Sequence, residues 1–246
     1  MKKLIIAFLM AAAPVLGLAS GGEAHLDHAH VDVSDQASLQ RGAKYFVNYC
    51  LSCHSAKYQR YNRMAKDLGL TEDEVKENLM FATDKIGEGM TIAMPPEKSA
   101  KWFGNPPPDL SVIARARGVD WIYTYLRSFY LDGSRPFGVN NIVFPDVGMP
   151  HVLWELQGMQ KAVYKMEKDT AGNDTEVFDH FELVEPGSLT PEEYDAVARD
   201  LTTFLSYIGE PIQLERKHLG IWVLLFISVF FVLAYLLKKE YWKDVH

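Results

Sequence analysis

The chain has 246 residues, a net charge of −7 and two cysteines, and 48% of its residues are hydrophobic. That length allows one or two domains around a sizeable core. The composition is that of an ordinary globular protein, and the acidic balance gives no basis for a nucleic-acid partner.

The N-terminus follows a recognisable order. Lys2 and Lys3 form a positive start. Residues 4–18 are apolar apart from Pro14 and Gly17, and the small residues Ala19, Ser20, Gly21, Gly22 and Ala24 follow. This is the layout of a bacterial secretory signal peptide over residues 1–24. The alternative, a membrane anchor, is disfavoured because the run is short for a span. Residues 25–36 read as an unstructured lead-in. His25, His28 and His30 within it fit a solvated tail better than a metal site.

Residues 35–50 have Leu39, Ala43, Phe46, Val47 and Cys50 at helical spacing, with Asp35 or Ser34 as the cap. Residues 71–80 form a second helix, with Thr71 as N-cap and Glu74 in the capping-box position. Residues 87–108 are dense in proline and read as a loop. A helix begins at 108–111, and after Gly118 another runs over 119–130 with an aromatic face. Residues 131–150 form a second loop. Two structureless loops of about twenty residues suggest binding, or a bound group that serves as their core. Residues 167–187 are a polar excursion, with a hairpin around 178–184. Thr190, Pro191 and Glu193 then open the last soluble helix, whose stripe runs from Tyr194 through Leu201 to Ile208 before Gly209 ends it.

Residues 219–237 contain no charge. The run is long enough to cross the hydrocarbon as a helix. Arg216 and Lys217 precede it. Lys238, Lys239 and Lys243 follow it, with Tyr241 and Trp242 at headgroup depth. With the export signal, this places residues 25–214 outside the cytoplasm, a single span at 219–237 and a cytoplasmic tail at 238–246.

Cys50-Leu51-Ser52-Cys53-His54 is the C-x-x-C-H pattern of c-type haem attachment. Two thiols one helical turn apart reach the two vinyl groups on one edge of a porphyrin. The adjacent His54 then offers a nitrogen to the iron. Export excludes a persistent free dithiol. A thioredoxin-like site is disfavoured because the motif follows a helix, and structural zinc because no second C-x-x-C or H-x-x-x-H exists. Methionine is the common second axial ligand. Met90, Met94 and Met149 lie in the long loops, with His151 as a further option. Proline follows both Met94 and Met149, and spacing alone does not separate them.

These segments together resemble the cytochrome c1 family. The resemblance rests on LQRGAKYFVNYCLSCHSAKYQRYNRM, PPDLSVIARARG, FPDVGMP, TPEEYDAVARDLTTFLSYIGEP and ERKHLG before the anchor. It covers nearly the whole mature chain, except the loop before Pro106 and the excursion before residue 190, which depart from the family pattern. The fold it implies is mainly α: a cytochrome c-like haem domain with long loops and one C-terminal transmembrane helix. It implies one haem c, covalent through Cys50 and Cys53, with His54 and Met149 on the iron. It also implies Arg115 as a propionate partner and Pro108 and Trp121 as crevice-lining residues. The implied role is an electron carrier, not an enzyme by itself. It would sit in a quinol:cytochrome c reductase of the bacterial inner membrane, with its haem domain in the periplasm. The implied partners are a cytochrome b subunit, a Rieske iron–sulfur protein as donor, a c-type cytochrome as acceptor, and membrane lipid. Two other classes stay open on the motif alone: a different membrane-tethered monohaem cytochrome, and a tethered thiol–disulfide oxidoreductase.

Overall fold

Asp35, rather than Ser34, caps the first helix, α1 (Gln36–Tyr45), by accepting from the Ser38 N–H at 3.0 Å. The computed structural model describes residues 25–92, 94–168 and 172–244, so the expected signal peptide lies outside the described residues. α1 does not run unbroken to the cysteines. It widens into a π-helical turn, Phe46–Cys50, closed by Leu51 N–H on the Phe46 carbonyl at 2.9 Å.

β1 (Ala56–Arg60), α2 (Tyr61–Asp67) and α3 (Glu72–Asn78) follow. α3 carries the expected reciprocal cap between Thr71 and Glu74. The proline-rich stretch is not all loop. It holds β2 (Gly89–Met90), antiparallel to β1, and α4 (Pro96–Phe103). Pro96 occupies the first turn of α4, where a missing N–H costs nothing.

α5 (Ile113–Arg117) starts later than expected, because residues 111–112 form a turn. α6 (Val119–Arg127) ends sooner. The residues expected to extend it become β3 (Phe129–Leu131), paired with β4 (Val139–Asn141) inside the second expected loop. The polar excursion is a long antiparallel hairpin beginning earlier than the sequence suggests. Its strands are β5 (Gly158–Lys168) and β6 (Asp174–Pro186), introduced by the short α7 (Trp154–Gln157). α8 (Pro191–Gly209) has the expected cap and end, and α9 (Gln213–Tyr241) is the apolar C-terminal helix. The described residues are therefore mainly α, with three two-stranded sheets.

The core centres on the crossing of α1 and α8. Leu39, Ala43 and Phe46 pack against Leu201, Phe204 and Leu205, and all are at most 4% exposed. Gly42 permits the close approach, since a β-carbon there would lie 2.1 Å from the Asp200 carbonyl oxygen. The lead-in is irregular but anchored. Ala29 is fully buried, and its N–H donates to Asp120 Oδ1 at 2.8 Å. Asp27 pairs with Arg127, which also holds Asp195.

α9 spans about 44 Å at 1.5 Å per residue, more than the hydrocarbon thickness of about 30 Å. None of its residues is buried against the protein.

Candidate functional site

The π-helical turn ends at Cys50, and the next turn folds on the Cys50 carbonyl. Both Cys53 N–H and His54 N–H donate to that oxygen, at 3.0 and 2.8 Å. Cys50, Cys53 and His54 therefore share one turn. Cys50 is 7% exposed, and burial pushes its thiol up to about 12. A thiol that resists ionisation is the opposite of what a disulfide-exchange nucleophile needs. Among the described residues no cluster of three or more His, Cys, Asp or Glu side chains converges, so structural zinc gains no support.

His54 is buried, and its Nδ1 lies 2.8 Å from the Pro108 carbonyl oxygen. A carbonyl only accepts, so the hydrogen sits on Nδ1 and the Nε2 lone pair is free for a ligand. Burial pushes the His54 pKa below the usual range, which keeps the ring neutral. Pro108 is brought there by cross-links between the CHSAKY and PPDLS segments. Leu110 N–H donates to the Ser55 carbonyl at 2.7 Å, Lys57 N–H to Asp109 Oδ2 at 3.1 Å, and Tyr58 N–H to Ser111 Oγ at 3.1 Å.

Trp121 lies on α6, where its ring stacks on Tyr125 at 5.0 Å. The Tyr125 hydroxyl donates to Met149 Sδ at 3.3 Å. Met149 packs beside the small cluster of Phe129, Val139 and Val147. Arg115 pairs with Glu210 at 3.2 Å, and its side chain is 61% exposed. Among the other methionines considered, Met90 is fully buried on β2, and Met94 is half-buried before Pro95. His151 is buried and stacked on Phe129 at 4.9 Å.

Sequence reasoning missed Tyr125 and Arg117. The Arg117 guanidinium sits 5.1 Å over the Trp121 ring. The signal was available: Arg117, Trp121 and Tyr125 recur at intervals of four. His25, His28 and His30 form no metal cluster. His28 instead faces Asp120 at 3.1 Å.

The donors match the requirements of a covalently held haem: two unbridged thiols and a neutral imidazole on one turn, and a thioether held by a hydroxyl. Known proteins agree. The model of the cytochrome C1 family matches residues 28–245. A cytochrome c1 from Allochromatium vinosum is 56% identical over 246 residues, covering 100% of both chains. The chain belongs to the cytochrome c1 family. A chain from Nitrosomonas europaea named ammonia monooxygenase gamma subunit is 48% identical over 245 residues, covering 100% of this chain and 98% of that one. The cytochrome b/c1 of Bradyrhizobium diazoefficiens is 28% identical over 242 residues, covering 86% of this chain and 34% of that protein.

Family membership fixes the cofactor and the general role. Haem c is bound covalently, and Cys50 and Cys53 are the chain's two cysteines. The chain is an electron-transfer haem subunit of the bc1 complex, an electron carrier within that reductase, and α9 fits its membrane anchor.

Proposed function

We propose that the chain accepts single electrons from a Rieske iron–sulfur protein and passes them to a c-type cytochrome. The observation that carries this reading is the His54 geometry. Its Nδ1–H is committed to Pro108, which leaves the Nε2 lone pair free as a ligand, on the same turn as Cys50 and Cys53. When bound, the haem supplies a reversible one-electron change at iron. The chain's own residues do the rest. Cys50 and Cys53 would hold the group covalently, and His54 Nε2 and Met149 Sδ would serve as its iron ligands. Pro108 and Trp121 line the crevice and exclude water, which narrows the reorganisation that each electron transfer demands. Arg115, whose guanidinium Glu210 steadies, would pair with a propionate. Arg117, over the Trp121 ring, adds positive charge next to that crevice residue.

The cytochrome b neighbour is supported by the Bradyrhizobium relative, which carries both cytochromes in its name and is much longer than this chain. The export signal supports a haem domain at residues 25–214 in the periplasm; the basic residues on both sides of α9 bound one span at 219–237, with a cytoplasmic tail at 238–246.

Two measurements test this. Met149→Lys should change the spin state and the potential of the haem sharply. The same effect from Met94→Lys, with none from Met149→Lys, refutes the ligand assignment. Affinity purification of the full chain from membranes should bring down a cytochrome b and a Rieske protein. Recovery of a monooxygenase in their place would transfer the role suggested by the name of the Nitrosomonas relative.

A further inference from the structure

We propose that Tyr125 is a positioning residue for the sulfur of Met149 and raises the reduction potential of the centre. The inference rests on Met149 as the axial ligand and adds what holds and polarises it.

Tyr125 lies on α6, and its hydroxyl donates to Met149 Sδ at 3.3 Å. This is the hydroxyl's one hydrogen bond among the described residues. A thioether is a weak acceptor. Two tyrosines buried elsewhere use stronger ones: Tyr194 donates to the Leu126 carbonyl and Tyr207 to Asp67, each at 2.8 Å, whereas the buried Tyr61 hydroxyl has no partner among the described residues. Folding alone therefore gains little by aiming this hydroxyl at sulfur.

The ring has little freedom. Trp121 stacks on one face at 5.0 Å with an interplanar angle of 10°, and Phe129 meets it edge-on at 5.1 Å. The Tyr125 carbonyl accepts from Asn141 Nδ2 at 2.8 Å, tying the end of α6 to β4. The sulfur is held from its own side as well. A β-carbon at Gly148 would sit 3.0 Å from the Phe103 carbonyl at the end of α4, and Pro150 restricts the backbone of Met149. Hydroxyl and sulfur thus approach each other from two constrained segments.

A thioether sulfur has two lone pairs. The hydroxyl occupies one and leaves the other for iron. A donor on the sulfur withdraws electron density, and its positive end faces the metal. Both effects disfavour the ferric state, which carries the extra positive charge. Removing the hydroxyl should therefore lower the potential without removing the ligand.

The test uses the full haem-loaded chain in its membrane complex. Tyr125→Phe keeps the ring and deletes the hydroxyl. Tyr164→Phe, on the exposed hairpin, serves as the control. Redox titration of Tyr125→Phe should shift the reduction equilibrium roughly three- to tenfold toward the oxidised form, the scale of one hydrogen bond. The methionine-to-iron charge-transfer band should move while the haem stays low-spin. If the potential and band of Tyr125→Phe match those of the control while Met149→Leu abolishes the band, Met149 is the ligand and Tyr125 does not tune it. A band that survives Met149→Leu overturns both the ligand assignment and this inference.

Discussion

Asp200 is only 6% exposed, yet it is the polar joint between α1 and α8. It accepts from Ser38 Oγ at 2.6 Å and from Arg41 at 2.6 and 3.0 Å. The fork–fork geometry with Arg41 fixes the rotation of α1, and α1 leads into the turn that carries both cysteines. Asp200→Asn keeps the shape but turns one acceptor oxygen into a donor group facing donors. The expected loss is about 2 kcal/mol. That corresponds to about 4–8 °C in the melting temperature of the haem-loaded protein, measured by circular dichroism. A variant that melts with the parent would mean that Arg41 and Ser38 find water at no cost.

At the scale of elements, Gly42 sets local preference against packing. Alanine is the better helix former by about 1 kcal/mol. The β-carbon, however, would stand 2.1 Å from the Asp200 carbonyl oxygen and 2.7 Å from Phe204 Cβ. Neither neighbour is a flexible side-chain end, so the helices must part. Gly42→Ala should destabilise by about 3 kcal/mol or more and lower the fraction of chain that carries haem, read by haem-stained gels. The lead-in depends on a different kind of contact. Asp120 accepts from the Ala29 N–H and lies beside His28, and the Ala29 bond is the chief cause of its depressed pKa. An unfolded aspartate titrates near about 3.9. This anchor is therefore fully present above that value and is lost as pH falls through the lower folded pKa. The Ala29 amide resonance should titrate below the ordinary aspartate range and stop doing so in Asp120→Asn; a midpoint at the ordinary value would refute the anchor.

These elements differ in how plainly the chain announces them. The caps of α3 and α8 were legible because Thr71–Glu74 and Thr190–Glu193 close within four residues. α4 was hidden because proline reads as a breaker, although Pro96 at its start is compatible with a helix. The long hairpin was seen only in part. Both faces of much of β6 are exposed, so its alternation is not apolar against polar. At the site, C-x-x-C-H identified itself locally. The His54–Pro108 bond spans 54 residues and the Tyr125–Met149 bond 24, and no local pattern encodes either.

At the scale of the molecule, two acidic surfaces and one bare helix stand out. Glu72, Asp73, Glu74 and Glu77 line the exposed side of α3, and the hairpin carries Glu176, Asp179 and Glu182. On the hairpin, Lys161 pairs with Glu182 and Lys165 with Asp179, which offsets part of its charge. If a basic partner docks on α3, neutralising Glu72, Asp73 and Glu77 should slow electron transfer most at low salt, where screening is weakest. An unchanged salt dependence in stopped-flow kinetics places docking elsewhere. α9 poses the complementary question. It buries none of its residues against the rest of the chain, so the core of α1, α6 and α8 does not need it. Its apolar surface is a liability in water and a fit for hydrocarbon, and Arg216, Lys217, Lys238 and Lys239 mark the two boundaries. The Arg115–Glu210 pair lies before the helix, although Arg216 on α9 also pairs with Glu210. A chain ending after Pro211 should keep its haem and melt within a few degrees of the haem domain in the full chain. It should also move from the membrane fraction to the soluble one. Loss of haem from the shortened chain would mean that the helix steadies the site. Retention in salt-washed membranes would mean that another surface carries the attachment.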